Sequence, residues 1–282
     1  MNKENIAVVT DSCADIPKEI VEKLGIIVVP LNVIFGEEVL KDGIDITSKE
    51  FYKRLDESKK LPSSSQPTPD EFYEVYQDLL ETYDRVISIH LSEKLSGTIN
   101  SARAAAKDFG EKVFAFDSQS ISVGVGLQVE AAVEVIKKGL PFEEIKDYLD
   151  KLRKSTHVMF TLDTLEYLHK GGRIGKAESL LGSLLNIKPI IIVRDGLYHA
   201  FGKTRSQKKA IKKISSHLQS ISKGKTVKRL AVAHGMAYEA MELLKSDLEK
   251  AFNIKASIVT EVGPVIGVHT GPGTIGTAIT FE

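Results

Sequence analysis

Apolar and polar positions in the first half of the chain alternate between strand-like and helix-like segments. Three short runs rich in apolar and β-branched residues predict buried strands: Ile6–Thr10, Arg85–Leu91 and Val113–Asp117. Each run is followed by a segment with helix-start signals. Because strands separated by helices favour right-handed crossovers, the first half predicts a parallel sheet.

Extended and helical signals also occupy the stretches between these strands. Ile26–Leu31 and Asn32–Phe35 are extended in pattern, and Gly36 turns the chain back to give a hairpin arm near residues 28–45. Asp15 is expected to cap the first helix. Two capping boxes predict the starts of further helices: Thr47-x-x-Glu50 and Thr68-x-x-Glu71.

The second half of the chain combines a hairpin with helices. Lys188–Arg194 and Leu197–Phe201 flank Asp195-Gly196, a pair typical of tight hairpin turns. Helical and extended patterns follow to the C-terminus, which predicts a mixed sheet. We therefore expect an α/β protein with two domains, a parallel-sheet α/β domain over residues 1–154 and an α+β domain over residues 155–282.

Composition narrows the class of protein. The 282 residues carry 38 basic and 38 acidic side chains, so no global field draws nucleic acid or an anionic membrane. No apolar run approaches the roughly 20 residues of a membrane span, and no signal-peptide core is evident. The single cysteine, Cys13, excludes an internal disulfide and a multi-cysteine metal site. We expect a cytoplasmic protein without bound metal and without stable membrane insertion.

Polar loops follow the predicted strands at the sheet edge where α/β proteins bind ligands. They are Asp11-Ser12, Ser92–Thr98 and Asp117-Ser118. The segment Leu95-Ser96-Gly97-Thr98 opens a helix whose free amides favour an anion, and Gly97 permits close approach of the backbone. The alternative is that Ser96 and Thr98 only cap that helix.

A second polar segment, Ser63–Gln66, offers three hydroxyls and an amide in one predicted loop. Serine runs of this kind commonly form solvated linkers. Pro62 and Pro67 flank the segment and restrict its conformations, which weakens the linker interpretation. Both interpretations stay open at this point.

Two glycine-rich motifs fail as nucleotide-binding loops. Lys170–Lys176 lacks the spacing and the hydroxyl residue of a P-loop, but it places Arg173 on a flexible loop suited to forked pairing with a carboxylate or phosphate. Gly271–Gly276 matches the dinucleotide fingerprint, yet too few residues follow it to complete that fold. We interpret it as a tight turn beside His269, which is either structural or part of a site.

Taken in order, the polar motifs resemble those of the DegV family. The resemblance covers about Ile6 to Ala278. It is carried by five segments: Val9-Thr-Asp-Ser12 with Ala14-Asp15, Ser64-Ser-Gln-Pro67, Leu95-Ser-Gly-Thr98, Gly171-Gly-Arg-Ile174 and Gly267-Val-His-Thr-Gly-Pro-Gly273. The chain looks like a fatty-acid-binding protein that serves a bacterial fatty acid kinase.

This resemblance implies that one long-chain fatty acid, such as palmitate, stearate or oleate, binds between two α/β domains. It implies a carboxylate held by the hydroxyls of Ser64 and Ser96 beside Gly97, with Arg173 and His269 near the head group. A protonated His269 would then respond to the added charge of an acyl phosphate. The sequence departs from the family pattern after Thr98, where it runs Ile-Asn instead of an aromatic residue followed by glutamine.

The same resemblance implies a partner and a tunnel. Lys203 and Arg205 fall in the region associated with docking of the fatty acid kinase, and Met159, Phe160 and Leu184 are candidate tunnel residues, with core packing as the alternative.

In this picture the chain is a carrier without a cofactor, active in phospholipid synthesis, and catalyses no reaction itself. The alternative is a serine hydrolase or acyltransferase with Ser96 as nucleophile and His90 or His269 as base.

Overall fold

A computed structural model describes residues 4–182 and 187–281. Within those ranges the chain forms strands β1 (Ile6–Asp11), β2 (Ile26–Val29), β3 (Asn32–Phe35), β4 (Glu38–Lys41), β5 (Ser63–Ser65), β6 (Arg85–His90), β7 (Val113–Asp117), β8 (Thr156–Thr161), β9 (Lys188–Arg194), β10 (Leu197–Thr204), β11 (Val227–His234), β12 (Ile258–Glu261) and β13 (Ile275–Phe281).

The α-helices of the described residues lie between and after these strands. They are α1 (Lys18–Leu24), α2 (Ser48–Glu57), α3 (Pro69–Leu80), α4 (Thr98–Ala106), α5 (Val123–Lys137), α6 (Phe142–Ser155), α7 (Glu166–Lys170), α8 (Gln207–Ile221), α9 (Tyr238–Phe252) and α10 (Pro264–Thr270). Both predicted capping boxes form, at the starts of α2 and α3. In each, a threonine hydroxyl accepts from a backbone amide while the glutamate three residues on accepts from the threonine amide.

The first sheet is entirely parallel and has the order β2-β1-β6-β7. Its strands are largely buried, as expected for a sheet covered by helices on both faces. The carboxyl ends of β1, β6 and β7 meet at one edge, so the predicted polar loops after these strands do lie together.

The second sheet is mixed and has the order β10-β9-β8-β13-β11-β12. The predicted hairpin is present, because β9 and β10 pair antiparallel across the turn at Asp195-Gly196. Only β11 and β12 pair in parallel. The combination of a parallel sheet and a mixed sheet confirms the predicted fold class.

A third, small sheet explains the arm near residues 28–45. The order is β4-β3-β5, with both neighbours antiparallel to β3. The serine segment is therefore a short strand, not the loop that the sequence predicted. The backbone of Asn32–Ile34 supplies its pairing partners, and this pairing fixes the position of Ser64.

One local prediction is wrong. Asp15 does not cap α1, which begins after Pro17 without a side-chain cap; instead Asp15 accepts from the amide of Gly263 at 2.9 Å. The predicted tight turn beside His269 is present at residues 272–273. The residues before it form the helix α10, which begins at Pro264, is almost wholly buried and was not predicted.

The helix α5 lies between the two larger sheets and contacts strands of both. One hydrophobic cluster consequently runs from β1 and β6 through α5 to β8 and β13. The predicted domain boundary at residue 154 falls at the end of α6, and it stays a prediction because the apolar core is continuous across it. No helix in the two described ranges is both long and apolar enough to cross a membrane.

Candidate functional site

A cavity of about 210 Å³ lies where the polar edge of the parallel sheet meets α10 and the second half of the chain. Its wall combines hydroxyl, amide and cationic groups with apolar side chains. The lining residues are Cys13, Leu31, Ser64, Ser65, Gln66, Leu91, Leu95, Ser96, Gly97, Ile121, Arg173, Tyr198, Val265, Ile266 and His269. All five residues predicted to hold a carboxylate head group are among them.

Ser96 and Gly97 form the start of α4 at this cavity. The Ser96 hydroxyl lies 2.9 Å from the hydroxyl of Thr98 and accepts from the Thr98 amide at 3.3 Å. Gly97 occupies the N-cap position and has no side chain to satisfy the amides of the first turn. The predicted capping role of Ser96 is thus partly present, and the helix start still faces the cavity as a site for an anion.

The side chain of Gln66 closely approaches the start of α4 at Gly97. A Cβ atom at this position would lie 2.1 Å from Oε1 of Gln66. The Gln66 amide group donates to the Ser101 hydroxyl at 3.0 Å, which connects the end of β5 to α4. Glycine is therefore required for this approach because of space, since its φ of −75° is open to any residue.

Ser64 and His269 are joined by a hydrogen bond of 2.8 Å between Oγ and Nε2. The strand β5 presents Ser64, and the last turn of α10 presents His269. These residues are 205 positions apart in sequence, so the contact connects the two halves of the chain across the cavity.

The environment of His269 favours the neutral ring. Burial, together with the nearby charge of Arg173, lowers the pKa of His269 to about 4. Its Nδ1 atom is buried and has no hydrogen-bond partner among the described residues. The predicted protonated His269 is therefore not present near neutral pH in the ligand-free protein. A bound anion would raise this pKa, because it would stabilise the charged ring.

Arg173 lies at the outer end of the cavity and is exposed. One of its guanidinium nitrogens donates to the carbonyl of Gly171 at 2.7 Å, which holds the side chain beside its own loop. A Cβ atom on Gly171 would lie 2.4 Å from Nδ1 of His269, so this loop packs directly against the histidine ring. The remaining donors of Arg173 are available to an oxyanion.

The candidate tunnel residues separate into different parts of the molecule. Met159 and Phe160 are neighbours on β8, so their side chains point to opposite faces of the sheet. Phe160 belongs to the cluster on the cavity side and contacts Tyr198 edge to face, with 5.2 Å between ring centroids. Met159 lies in the cluster on the other face, which does not fit a role beside the cavity. Leu184 falls outside the described residues.

Lys203 and Arg205 do not line the cavity. Both are exposed, Lys203 near the end of the edge strand β10 and Arg205 just before α8. Tyr198 lies on the same strand as Lys203, roughly 16 Å away along an extended chain. A partner docked at these two cations would therefore sit beside the cavity and not within it.

His90, a candidate base in the hydrolase alternative, belongs to a buried hydrogen-bond network. It is fully buried and lies 2.9 Å from the Asp11 carboxylate and 2.6 Å from the Ser88 hydroxyl. The same carboxylate accepts from the amides of Leu91 and Cys13, which line the cavity. This network fixes the ends of β1 and β6 but is itself closed to substrates.

Sequence reasoning missed the apolar part of the wall. Val265 and Ile266 come from the unforeseen helix α10, and Tyr198 comes from β10. In the sequence, only the run of apolar residues before His269 indicated this part of the wall.

No group of three or more histidine, cysteine or acidic side chains in the described residues is placed to bind a metal ion.

Several known proteins are similar to this chain in sequence and in fold. A DegV domain-containing protein of Deinococcus radiodurans is 37% identical over 284 residues, covering 98% of each chain. Another, from Listeria innocua, is 40% identical over 275 residues, covering 97% of each. The fold resembles a DegV family protein of Thermus thermophilus described as fatty acid binding, with a TM-score of 0.94, 37% identity and coverage of 99% and 100%.

A further solved structure, a stearic acid-binding protein of Eubacterium ventriosum, has a TM-score of 0.90 and 30% identity over 98% of both chains. The family model described as DegV matches residues 5–282. The resemblance drawn from the five ordered motifs is thereby confirmed. Since both the sequence match and the fold match extend over essentially all of its length, the chain belongs to the DegV family.

Proposed function

We propose that this protein binds one long-chain fatty acid in the cavity between its two halves and presents the carboxylate to a separate kinase. The observation that carries the proposal is the composition of the cavity wall. The wall contains hydroxyls and the start of α4 as well as apolar side chains such as Leu31, Ile121 and Val265. This combination of groups suits a ligand with an anionic head and an apolar tail.

The energetics of a fatty acid fit this arrangement. Burying about 15 methylenes at ~0.8 kcal/mol each supplies roughly 12 kcal/mol of gross driving force, and loss of translational and conformational freedom offsets much of it. The carboxylate must be hydrogen-bonded because an unpaired buried charge is prohibitive. Ser64, Ser96 and the amides beside Gly97 provide such bonds without a buried ion pair.

Similar proteins support the ligand class. The Thermus thermophilus protein is described as fatty acid binding, and the Eubacterium ventriosum protein as binding stearic acid. We infer the same class for this chain because the residues at its cavity are the ones that carry the motif match.

The carrier role rests on the exposure of Arg173 and on the absence of a P-loop motif from the sequence. A kinase in the cytoplasm would bring ATP to the head group and form the acyl phosphate used for phospholipid synthesis. Arg173 would then pair with the added phosphoryl charge. Lys203 and Arg205 would dock the kinase through acidic groups on its surface.

Hydrolysis by Ser96 is the alternative, and the described contacts do not favour it. The hydroxyl of Ser96 pairs with Thr98, while the base His269 pairs with Ser64. No carboxylate hydrogen-bonds the Nδ1 atom of His269 among the described residues, so the ring lacks the orienting group of a triad. Labelling of Ser96 or Ser64 by a fluorophosphonate would support hydrolysis and contradict the carrier role.

Mass spectrometry of the natively purified protein tests the binding step. We expect one fatty acid per chain in organic extracts, or equimolar uptake of added oleate. Ser64→Ala should weaken uptake about tenfold through loss of a hydrogen bond to a charged group. Ser63→Ala is the matched control, because Ser63 is exposed on the opposite face of β5 and does not line the cavity. An oleate-free protein that also fails to bind added oleate or palmitate would refute the proposal.

A reconstituted assay tests presentation separately. With ATP and a purified fatty acid kinase, the loaded protein should yield an acyl phosphate that hydroxylamine traps as the acyl hydroxamate. Charge removal at Lys203 and Arg205 should lower this yield while leaving oleate binding unchanged. Equal yields with and without this protein would contradict presentation but not binding.

A further inference from the structure

A second cavity, of about 350 Å³, lies on the other side of the segment that follows β7. Ile121 of this segment lines the first cavity, whereas Ser118, Gln119 and Ser120 line the second. The opposite wall comes from the end of α6, from β8 and β9, and from the last turns of α8. The two cavities therefore share one short stretch of chain but have different walls and different chemistry.

Cations dominate the rim of the second cavity. Arg153, Lys154 and Arg194 line it, against one acidic side chain, Asp195. Arg153 is already engaged, since it donates to the Asp117 carbonyl at 3.0 Å and pairs with an aspartate on its own helix at 2.8 Å. Lys154 and Arg194 are exposed, and neither forms an ion pair with an acidic group of the described residues. The rim thus carries a net positive charge, which Asp195 offsets only in part.

Two histidines add hydrogen-bonding groups to the same wall. Burial lowers the pKa of His157 and of His217, and nearby cations contribute: Lys225 for the first and Arg194 for the second. Both rings are therefore neutral near pH 7, and each has a nitrogen that can donate to an oxyanion. An anion bound beside the two rings would raise their pKa values, which is opposite to the effect of the cations.

The inner wall supplies an apolar surface. The Ser120 hydroxyl is buried against Gly124 of α5 and is not exposed to the cavity, since a Cβ atom on that glycine would lie 2.3 Å from it. Val158, Ile192 and Ile221 form an apolar part of the same wall.

We propose that this second cavity binds a phosphomonoester, with the phosphoryl group against Lys154, Arg194 and the histidines and its organic part against the apolar wall. The size of the cavity lies within the range of small-molecule sites. A dianionic phosphoryl group matches a rim of guanidinium, ammonium and imidazole groups better than a carboxylate does, because it presents more acceptor oxygens and more charge. This site is independent of fatty acid binding.

NMR of the histidine rings in the whole protein tests the proposal, with phenyl phosphate as the probe. We expect saturable, equimolar shifts of the His157 and His217 signals, with inorganic phosphate bound at least about tenfold more weakly because it lacks the apolar part. Arg194→Gln should weaken phenyl phosphate about tenfold, since it removes a charged hydrogen-bond donor from an exposed strand end. Lys49→Gln, an exposed cation on α2 away from this cavity, should leave binding unchanged.

Addition of oleate separates the two sites. Phenyl phosphate should remain bound at saturating oleate, because the two ligands occupy different cavities. The proposal is overturned if no saturable histidine shift occurs, if a folded Arg194→Gln protein binds as tightly as wild type, or if oleate displaces the probe. Equal affinities for phenyl phosphate and inorganic phosphate would likewise overturn the assignment of a phosphomonoester.

Discussion

Replacement of Gly97 by alanine tests the placement of the fatty acid carboxylate at the start of α4. The φ of −75° accommodates alanine without backbone strain, so the effect arises from the added methyl group alone. That methyl would lie 2.1 Å from Oε1 and 2.9 Å from Nε2 of Gln66. The glutamine side chain must therefore move and give up its hydrogen bond to Ser101.

The magnitude follows from these contacts. Loss of the Gln66–Ser101 hydrogen bond costs ~1 kcal/mol, and alanine at an N-cap position costs up to about 1 kcal/mol more. We expect the free energy of unfolding to fall by about 1–2 kcal/mol, measured by circular dichroism in urea because the chain has no tryptophan. Oleate affinity should fall by more, at least about tenfold, because the methyl group also obstructs the amides that we propose to hold the carboxylate.

A double variant separates the two effects. In the Gln66→Ala background the new methyl group has nothing to displace, so Gly97→Ala should cost less stability than it does in wild type. It should still lower oleate affinity relative to Gln66→Ala alone. A Gly97→Ala protein that binds oleate as tightly as wild type would refute the placement of the head group at this helix start.

Three further substitutions test the surroundings of the site. Burial raises the pKa of Asp42 to about 6 from an ordinary value of 3.8, so ionisation of this group lowers the free energy of unfolding by about 3 kcal/mol as the pH rises from about 4 to about 6. Asp42→Asn should remove this contribution when the free energy of unfolding is measured by urea titration at each pH, and an unchanged pH profile would contradict it. Ser92→Ala leaves the Gly196 carbonyl without its 2.8 Å donor and should lower the free energy of unfolding by about 1–3 kcal/mol, whereas wild-type stability would show that the contact is unimportant. Arg173→Gln should raise the pKa of His269 in the ligand-free protein, seen by NMR titration, and should weaken oleate binding; a lower pKa would contradict the electrostatic account.

The regular elements of the first half were predictable because their patterns are local. Buried β-branched runs gave β1, β6 and β7, and the capping boxes gave the starts of α2 and α3. The hairpin of β9 and β10 followed from Asp195-Gly196 in the same way. These signals depend on residues close in sequence, so they can be recognised without knowledge of tertiary contacts.

The elements that complete the site were not predictable in this way. The helix α10 is buried on nearly all sides, so it has no polar face to show a helical period. The strand β5 consists of serines and forms because β3 offers its backbone as a partner. The bond between Ser64 and His269 joins these two elements, and no local pattern could indicate it.

The identity of the ligand shows the same limit. Local chemistry predicted only an anion site at the start of α4, and on local grounds capping was the favoured explanation for Ser96. The order of the motifs added the fatty acid, and the structure then brought Ser64, Ser96, Gly97, Arg173 and His269 around one cavity. The path of the proposed fatty acid tail stays a prediction, and Met159 lies on the face of β8 away from the cavity.

NMR of oleate isotope-labelled at its carboxyl carbon tests the central claim most directly. We predict a single bound carboxyl signal at equimolar oleate, in slow exchange with free ligand, which moves or weakens with Ser64→Ala and Ser96→Ala but not with Ser63→Ala. A bound signal that is insensitive to both cavity serines, or no bound signal at all, would contradict the claim that this cavity holds the head group of a fatty acid.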